Sequence, residues 1–320
     1  MEEADRSYHP QLCAADADAV LSSIDDVHYR IPSFVLRDAT GLFRNVETAT
    51  RIPVSNHSRV LTPILLMLSG IGVSASSPLH FPVLTDLDEA VRVLITWDAP
   101  GPLSILRGSI TSYIPLYDSI AKHNLVRCAG SESVSEPMEK TSIALRLFGL
   151  AMRMEWELEA KMLSKYTLAA DIWHEQYKDD MHCVDSKGIM RLMRLRRERR
   201  DGFGRILDRG WGRLEGNAKL SFGIPTLEGS SRCRGCAENL ICQPSYPYIL
   251  GELKNRMFWE MDRFPLGDTL VNALETDVGD WSEAREVWSL KCLKCDKAVI
   301  DRVGLMRDVK ETLMMLPCSI

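Results

Sequence analysis

Four cysteines stand in two pairs of equal spacing, Cys233 and Cys236 in "RCRGC" and Cys292 and Cys295 in "KCLKC". A CxxC places two sulfurs on one tight turn, and two such turns supply the four thiolates of a tetrahedral Zn²⁺, with Zn–S about 2.3 Å. The pairs are separated by 55 intervening residues, more than in a compact zinc ribbon, so the surrounding fold has to bring the two knuckles together. Reduced unpaired thiols and a redox pair are the competing readings. The redox reading is the weaker of these, because CxxC oxidoreductases carry the motif at a helix N-terminus after a strand, and no such alternation precedes Cys233. A Cys₄ zinc is closed, with no position left for water, so its role would be stability and not hydrolysis. Lys291, Lys294 and Arg234 would offset the negative charge of the four thiolates. Cys242 has no partner at short spacing and reads as a small buried hydrophobe. Cys13, Cys128, Cys183 and Cys318 are isolated and read as structural or incidental.

Other chemistry leaves no comparable trace. There is no GxSxG elbow, phosphate-binding glycine loop, HExxH or cysteine-nucleophile signature. His9, His28, His57, His80, His123, His174 and His182 are scattered without metal spacing. Asp25 with Asp26, and Asp179 with Asp180, are sequence neighbours, a placement that suits turns and helix caps better than a general acid/base pair. The expectation is a protein that is not an enzyme.

The run "RLMRLRRERR", Arg191 to Arg200, could be a nuclear-localisation or nucleic-acid patch. On a helical wheel, however, Ile189, Leu192, Met193 and Phe203 share a side with Arg196 and Arg200. That pattern predicts a helix lying partly on the core, with arginines snorkelling off its edge. The net charge of −5 and a pI near 5.9 also argue against a nucleic-acid protein as such.

The elements that would position these groups follow from periodicity. At 320 residues the chain has room for two ordinary domains. Residues 1–15 read as a flexible end. Ala19–Ser22 and Val27–Ile31 read as a hairpin turning on Asp25 and Asp26, followed by a helix with Ser33 at its N-cap. Ile52–Ser55 suggests a third strand, and Ser58 a cap for a helix ended by Gly70. Leu87, Val91, Leu94 and Ile95 mark a further helix capped by Thr85, and another spans Leu103–Ile110. After the polar linker "AGSESVSEPMEK", residues 129–140, the residues Ile143, Leu147, Leu150, Ala151, Met154, Leu158 and Met162 form one stripe and predict a single core helix. The N-terminus lacks a basic start with an apolar run, so no secretory signal is expected. The longest apolar patch, "VLTPILLMLSGIGV", contains Pro63 and Gly70 and is too short to span a bilayer. An intracellular protein, cytoplasmic or nuclear, is expected, with no membrane contact.

The stretch "ADAVLSSIDDVHYRIPSFVLRDATGLFRNV", with its Phe43–Arg44 pair, resembles the opening of a BTB/POZ domain. "LITWDAPGPLSILRGSI", "LRLFGLAMRMEWELEAKMLSKYTL", "MRLRRERRDGFGRIL", "WEMDRFPLGDTL" and the closing "LPCSI" extend the likeness along nearly the whole chain, to the fungal, chiefly basidiomycete, BTB domain-containing proteins. Pro32 and Ser33 stand where that family usually carries a histidine. The resemblance implies an α+β fold: a BTB/POZ-like domain over 16–128, a helical segment over 141–215, and a cysteine-bearing module over 216–320. It implies a protein-interaction module that forms a homodimer or binds protein partners. The alternatives it leaves open are a substrate adaptor of a cullin-type ubiquitin ligase and a nuclear zinc-binding regulator. The one expected cofactor, which follows from the CxxC spacing and not from the resemblance, is a structural zinc on Cys233, Cys236, Cys292 and Cys295.

Overall fold

The computed structural model describes residues 8–45, 51–71, 84–108, 110, 135–212, 245–275, 281–291, 296, 298 and 300–320. It is α+β and mostly helical, in two compact units, Met1–Lys122 and His123–Ile320.

The N-terminal unit contains strands β1 (Tyr8–Cys13), β2 (Ala19–Ser22), β3 (His28–Ile31) and β4 (Arg51–Pro53). Its helices are α1 (Ser33–Ala39), α2 (Ser58–Leu68), α3 (Leu84–Thr96) and α4 (residues 100–108). The strands form one sheet in the order β1-β3-β2-β4. The expected hairpin is its centre, pairing Ala19 with Ile31 and Ser22 with His28 in antiparallel register. Asp26 takes a positive φ of 58° in its turn, a conformation that Asp tolerates better than most residues. β1 and β4 add on either side in parallel.

Alternation sets the core face: Ala19, Leu21, Tyr29 and Ile31 are fully buried. Above them lies α2, whose Val60, Leu61, Ile64 and Leu65 are equally buried. The Tyr29 hydroxyl meets Thr62 Oγ1 at 2.9 Å, giving the buried phenol the polar partner it needs.

The flexible N-terminus expected over residues 1–15 is corrected over its second half. Tyr8–Cys13 is a strand, with Leu12 buried and the His9 ring stacked on Tyr29 at 5.7 Å. β3 offers a free edge, and pairing there satisfies backbone groups that a frayed end would leave to water.

The C-terminal unit holds α5 (Ser135–Arg153), α6 (Glu157–Tyr166), α7 (Lys178–His182), α8 (Ser186–Gly212), α9 (Ser245–Arg263), α10 (Asp268–Glu275), α11 (Ser282–Ser289) and α12 (Arg302–Met315). Two short 3₁₀ turns, Thr167–Ala169 and Glu175–Tyr177, lie between α6 and α7. α5 begins inside the stretch expected as linker, at Ser135.

The single core helix expected from Ile143 to Met162 is two helices. Glu155 has a φ of 56°, which interrupts the helical path, and α6 restarts in a different phase to pack back against α5. Leu158 and Met162, assigned by the stripe to the core, are therefore exposed.

A second expectation also changes. α8 delivers Phe203 and Leu207 into the same core as Leu253, Met257 and Met261 of α9, Leu270 and Leu274 of α10, and Leu305 and Val309 of α12. The helical segment and the C-terminal module expected as separate parts thus share one hydrophobic interior.

Candidate interaction surface

The candidate surface lies on the N-terminal unit, and it is positioned by two carboxylates. Asp18, before β2, accepts the Ser33 backbone N–H at 2.6 Å and the Ser33 hydroxyl at 2.7 Å. Asp25, in the β2–β3 turn, accepts the Ser58 N–H at 2.8 Å and the Ser58 hydroxyl at 2.5 Å. Ser33 and Ser58 are thus the first residues inside α1 and α2, and their expected cap role is reversed: they are capped from a distance. The positions before them, Pro32 and His57, make no side-chain cap bond. Thr85, expected as a cap, likewise lies within α3, which begins at Leu84.

Charge follows from these bonds. The Ser33 backbone N–H and hydroxyl hold the Asp18 carboxyl below its usual range. At Asp25 burial pushes the other way, but the bonds from Ser58 and Ser23 prevail and hold it at about 2. Both groups are fixed as carboxylates near neutrality, which suits a cap and not a proton donor.

The loop after α1 is pinned as well. Gly41 N–H donates to Asp98 O at 2.9 Å and Leu42 N–H to Trp97 O at 3.1 Å. Phe43 meets the Trp97 ring edge-on at 5.0 Å, both side chains being buried. A Cβ on Gly41 would lie 2.1 Å from Asp98 Oδ2 and 2.8 Å from its Cβ, so this approach needs glycine.

On this rigid frame several large apolar side chains face water. Phe34 on α1 is 58% exposed and Leu42 is 54% exposed. Ile24, beside the hairpin turn, and Ile95, two residues before the Trp97 whose carbonyl accepts from Leu42, are also exposed. Scattered apolar groups need no explanation, but several on pinned elements are the raw material of an interface.

The arginine run is a clamp inside the C-terminal unit. Arg199 is only 2% exposed, and its guanidinium donates to the carbonyls of Pro265 (2.7 Å), Leu266 (3.3 Å), Leu316 (3.3 Å) and Pro317 (2.7 Å). Arg196 is buried too and donates to Thr167 O (3.1 Å), Ala170 O (2.9 Å) and Arg263 O (2.8 Å). Burial drives the Arg196 group down to about 10 and lowers Arg199 as well.

Arg191 pairs with Glu157, Arg194 with Glu198, and Arg200 with Asp201 and Asp262. The expected snorkelling is therefore corrected for Arg196, and five of the run's six arginines are committed within the protein. Asp180 is likewise taken, accepting from Arg146 Nε at 2.5 Å.

Cys233, Cys236, Cys292 and Cys295, the expected zinc ligands, all lie outside the described residues, as do Cys128 and Cys242. Of the residues that bracket the second pair, Lys291 and Ala298 form an isolated antiparallel bridge. Asp296 has a φ of 55° and lies 3.5 Å from the Lys291 ammonium. Among the described residues no group of three or more His, Cys, Asp or Glu side chains is placed to hold a metal ion, and no helix is long and apolar enough to cross a membrane. Comparison with known proteins found no matching family model, no matching curated protein and no matching solved structure.

Proposed function

We propose that the chain is a protein-interaction module of the BTB/POZ kind, without catalytic activity of its own, whose N-terminal unit pairs with a second copy. The observation that carries this reading is the exposure of Phe34 and Leu42 on elements locked by the Asp18–Ser33 and Gly41–Asp98 bonds. Burying rigid apolar groups in an interface loses little conformational freedom, so most of their transfer free energy is available for association. A stable pairing of this type buries roughly 2,000 Å² or more.

Sedimentation of the full chain tests the reading. The expected result is self-association that weakens strongly on the change Phe34→Glu or Leu42→Glu. Insensitivity of the mass to both changes would overturn it.

We also propose that Cys233, Cys236, Cys292 and Cys295 hold one structural zinc. The equal spacing of the two CxxC pairs supports this, since each places two sulfurs within reach of one ion. The expected result is about one zinc per chain by elemental analysis of protein purified without chelator, lost on Cys292→Ser. Metal-free protein, or unchanged zinc in that variant, would refute it.

A further inference from the structure

The outer face of α12 carries a feature that the N-terminal pairing does not use. Val303, Arg307, Glu311 and Met315 recur every fourth residue, so they form one i+4 ridge along the helix. All four are exposed, Val303 at 78%, Arg307 at 70% for its side chain, and Met315 at 59%. Val303, Arg307 and Glu311 also line an open concavity of about 720 Å³, with Met314 beside them. Read along the ridge, the chemistry is apolar, cation, anion, apolar. Reversed, it is apolar, anion, cation, apolar.

An antiparallel second copy of the ridge therefore sets Val303 against Met315 and Arg307 against Glu311, and does so twice by symmetry. A two-fold interface requires this self-complementarity, because each residue must suit its mate in the same patch. Within one helix the pair is poorly served: a cation four residues before an acid is the less favourable order. Arg307 instead pairs with Asp308, its Nε lying 3.6 Å from the carboxylate. A purely acidic partner would suit Arg307 but would face Glu311 with like charge, so the pattern favours a copy of itself.

We propose that α12 forms a second self-association surface, in which the Val303–Arg307–Glu311–Met315 ridges of two chains pack antiparallel. With the N-terminal pairing, this surface would link dimers into larger assemblies.

Sedimentation velocity over a micromolar concentration series of the full chain tests the proposal through charge exchange. Arg307→Glu alone and Glu311→Arg alone should each weaken the α12 contact by about tenfold or more, since two attractive pairs become repulsive. The double variant, with the charges exchanged, should associate like the natural chain, and an equimolar mixture of the two single variants should recover association that neither shows alone. Recovery in the double variant rules out misfolding as the cause of the loss. An equal, dimer-sized mass for all samples at all concentrations would overturn the α12 proposal while leaving the N-terminal pairing intact, and an equal monomer mass of 36.1 kDa would overturn both. Single variants that fall to monomer, with recovery on mixing, would support the α12 contact and overturn the N-terminal pairing.

Discussion

The two units solve the same problem with opposite chemistry. A helix leaves unpaired N–H groups at its start and unpaired carbonyls at its end. In the N-terminal unit the helix starts are served by carboxylates, Asp18 for α1 and Asp25 for α2. In the C-terminal unit the segments following helix ends are served by guanidinium groups from α8: Arg196 takes carbonyls after α6 and at the end of α9, and Arg199 takes those after α9 and α12. The carboxylates work near water, whereas the arginines are buried. Exposed charges exchange bonds with water at little net gain, whereas removing a buried donor strands its acceptors. A hydrogen bond to a charged group therefore carries unequal weight in the two units according to burial.

The largest effect should come from Arg199→Met, which keeps length but removes every donor. We expect a loss of about 3–5 kcal/mol in denaturant unfolding, because four carbonyls lose their buried partner. Arg199→Lys should recover only part of this, since an ammonium cannot fork across carbonyls on two chain segments. A loss below about 1 kcal/mol for the Met variant would erase the contrast between the units.

Next, Gly41→Ala should cost about 1–3 kcal/mol, because its Cβ would drive into Asp98. Hydrogen exchange should show the loss as faster exchange of the Gly41 and Leu42 amides, with α8–α12 unaffected.

Smaller again, Asp25→Ala should cost about 1 kcal/mol, the usual worth of a helix cap, and Asp25→Asn less. The smallest effect is that of acid. With its folded carboxyl held at about 2, Asp25 stabilises fully above its ordinary value of 3.8 and loses that contribution as pH falls between these values. Asp18, also held low, shifts stability in the same direction. Because both sites are open to solvent, the expected sign is a modest weakening of the N-terminal unit below about pH 4, read as earlier amide exchange there while the arginine-clamped unit holds.

Local pattern was enough for much of the fold. The hairpin at Ala19–Ser22, the helix ending before Gly70 and the helix through Val91 and Leu94 all stand as alternation and helical spacing indicate, because those periods are properties of neighbouring residues. The candidate surface was legible only as a pool of apolar residues. Phe34, Leu36, Leu42 and Phe43 look alike in sequence, yet Leu36 and Phe43 are buried and Phe34 and Leu42 are exposed. For Leu42 and Phe43 the choice is made where the loop after α1 meets Trp97, and for Phe34 and Leu36 where α1 meets α2.

The same holds for the arginines: a wheel puts Arg196 on the apolar side of α8, but it cannot supply the carbonyl of Arg263, 67 residues away, that makes its burial tolerable. Asp18 and Asp25 likewise belong to turns by composition, and the helices they cap begin 15 and 33 residues later. Sequence by itself determined the repeating elements, whose stability is set by residues a turn apart. Tertiary structure alone decided which polar atoms meet, since a buried hydrogen bond is satisfied by whatever segment the fold delivers and leaves no period in the chain.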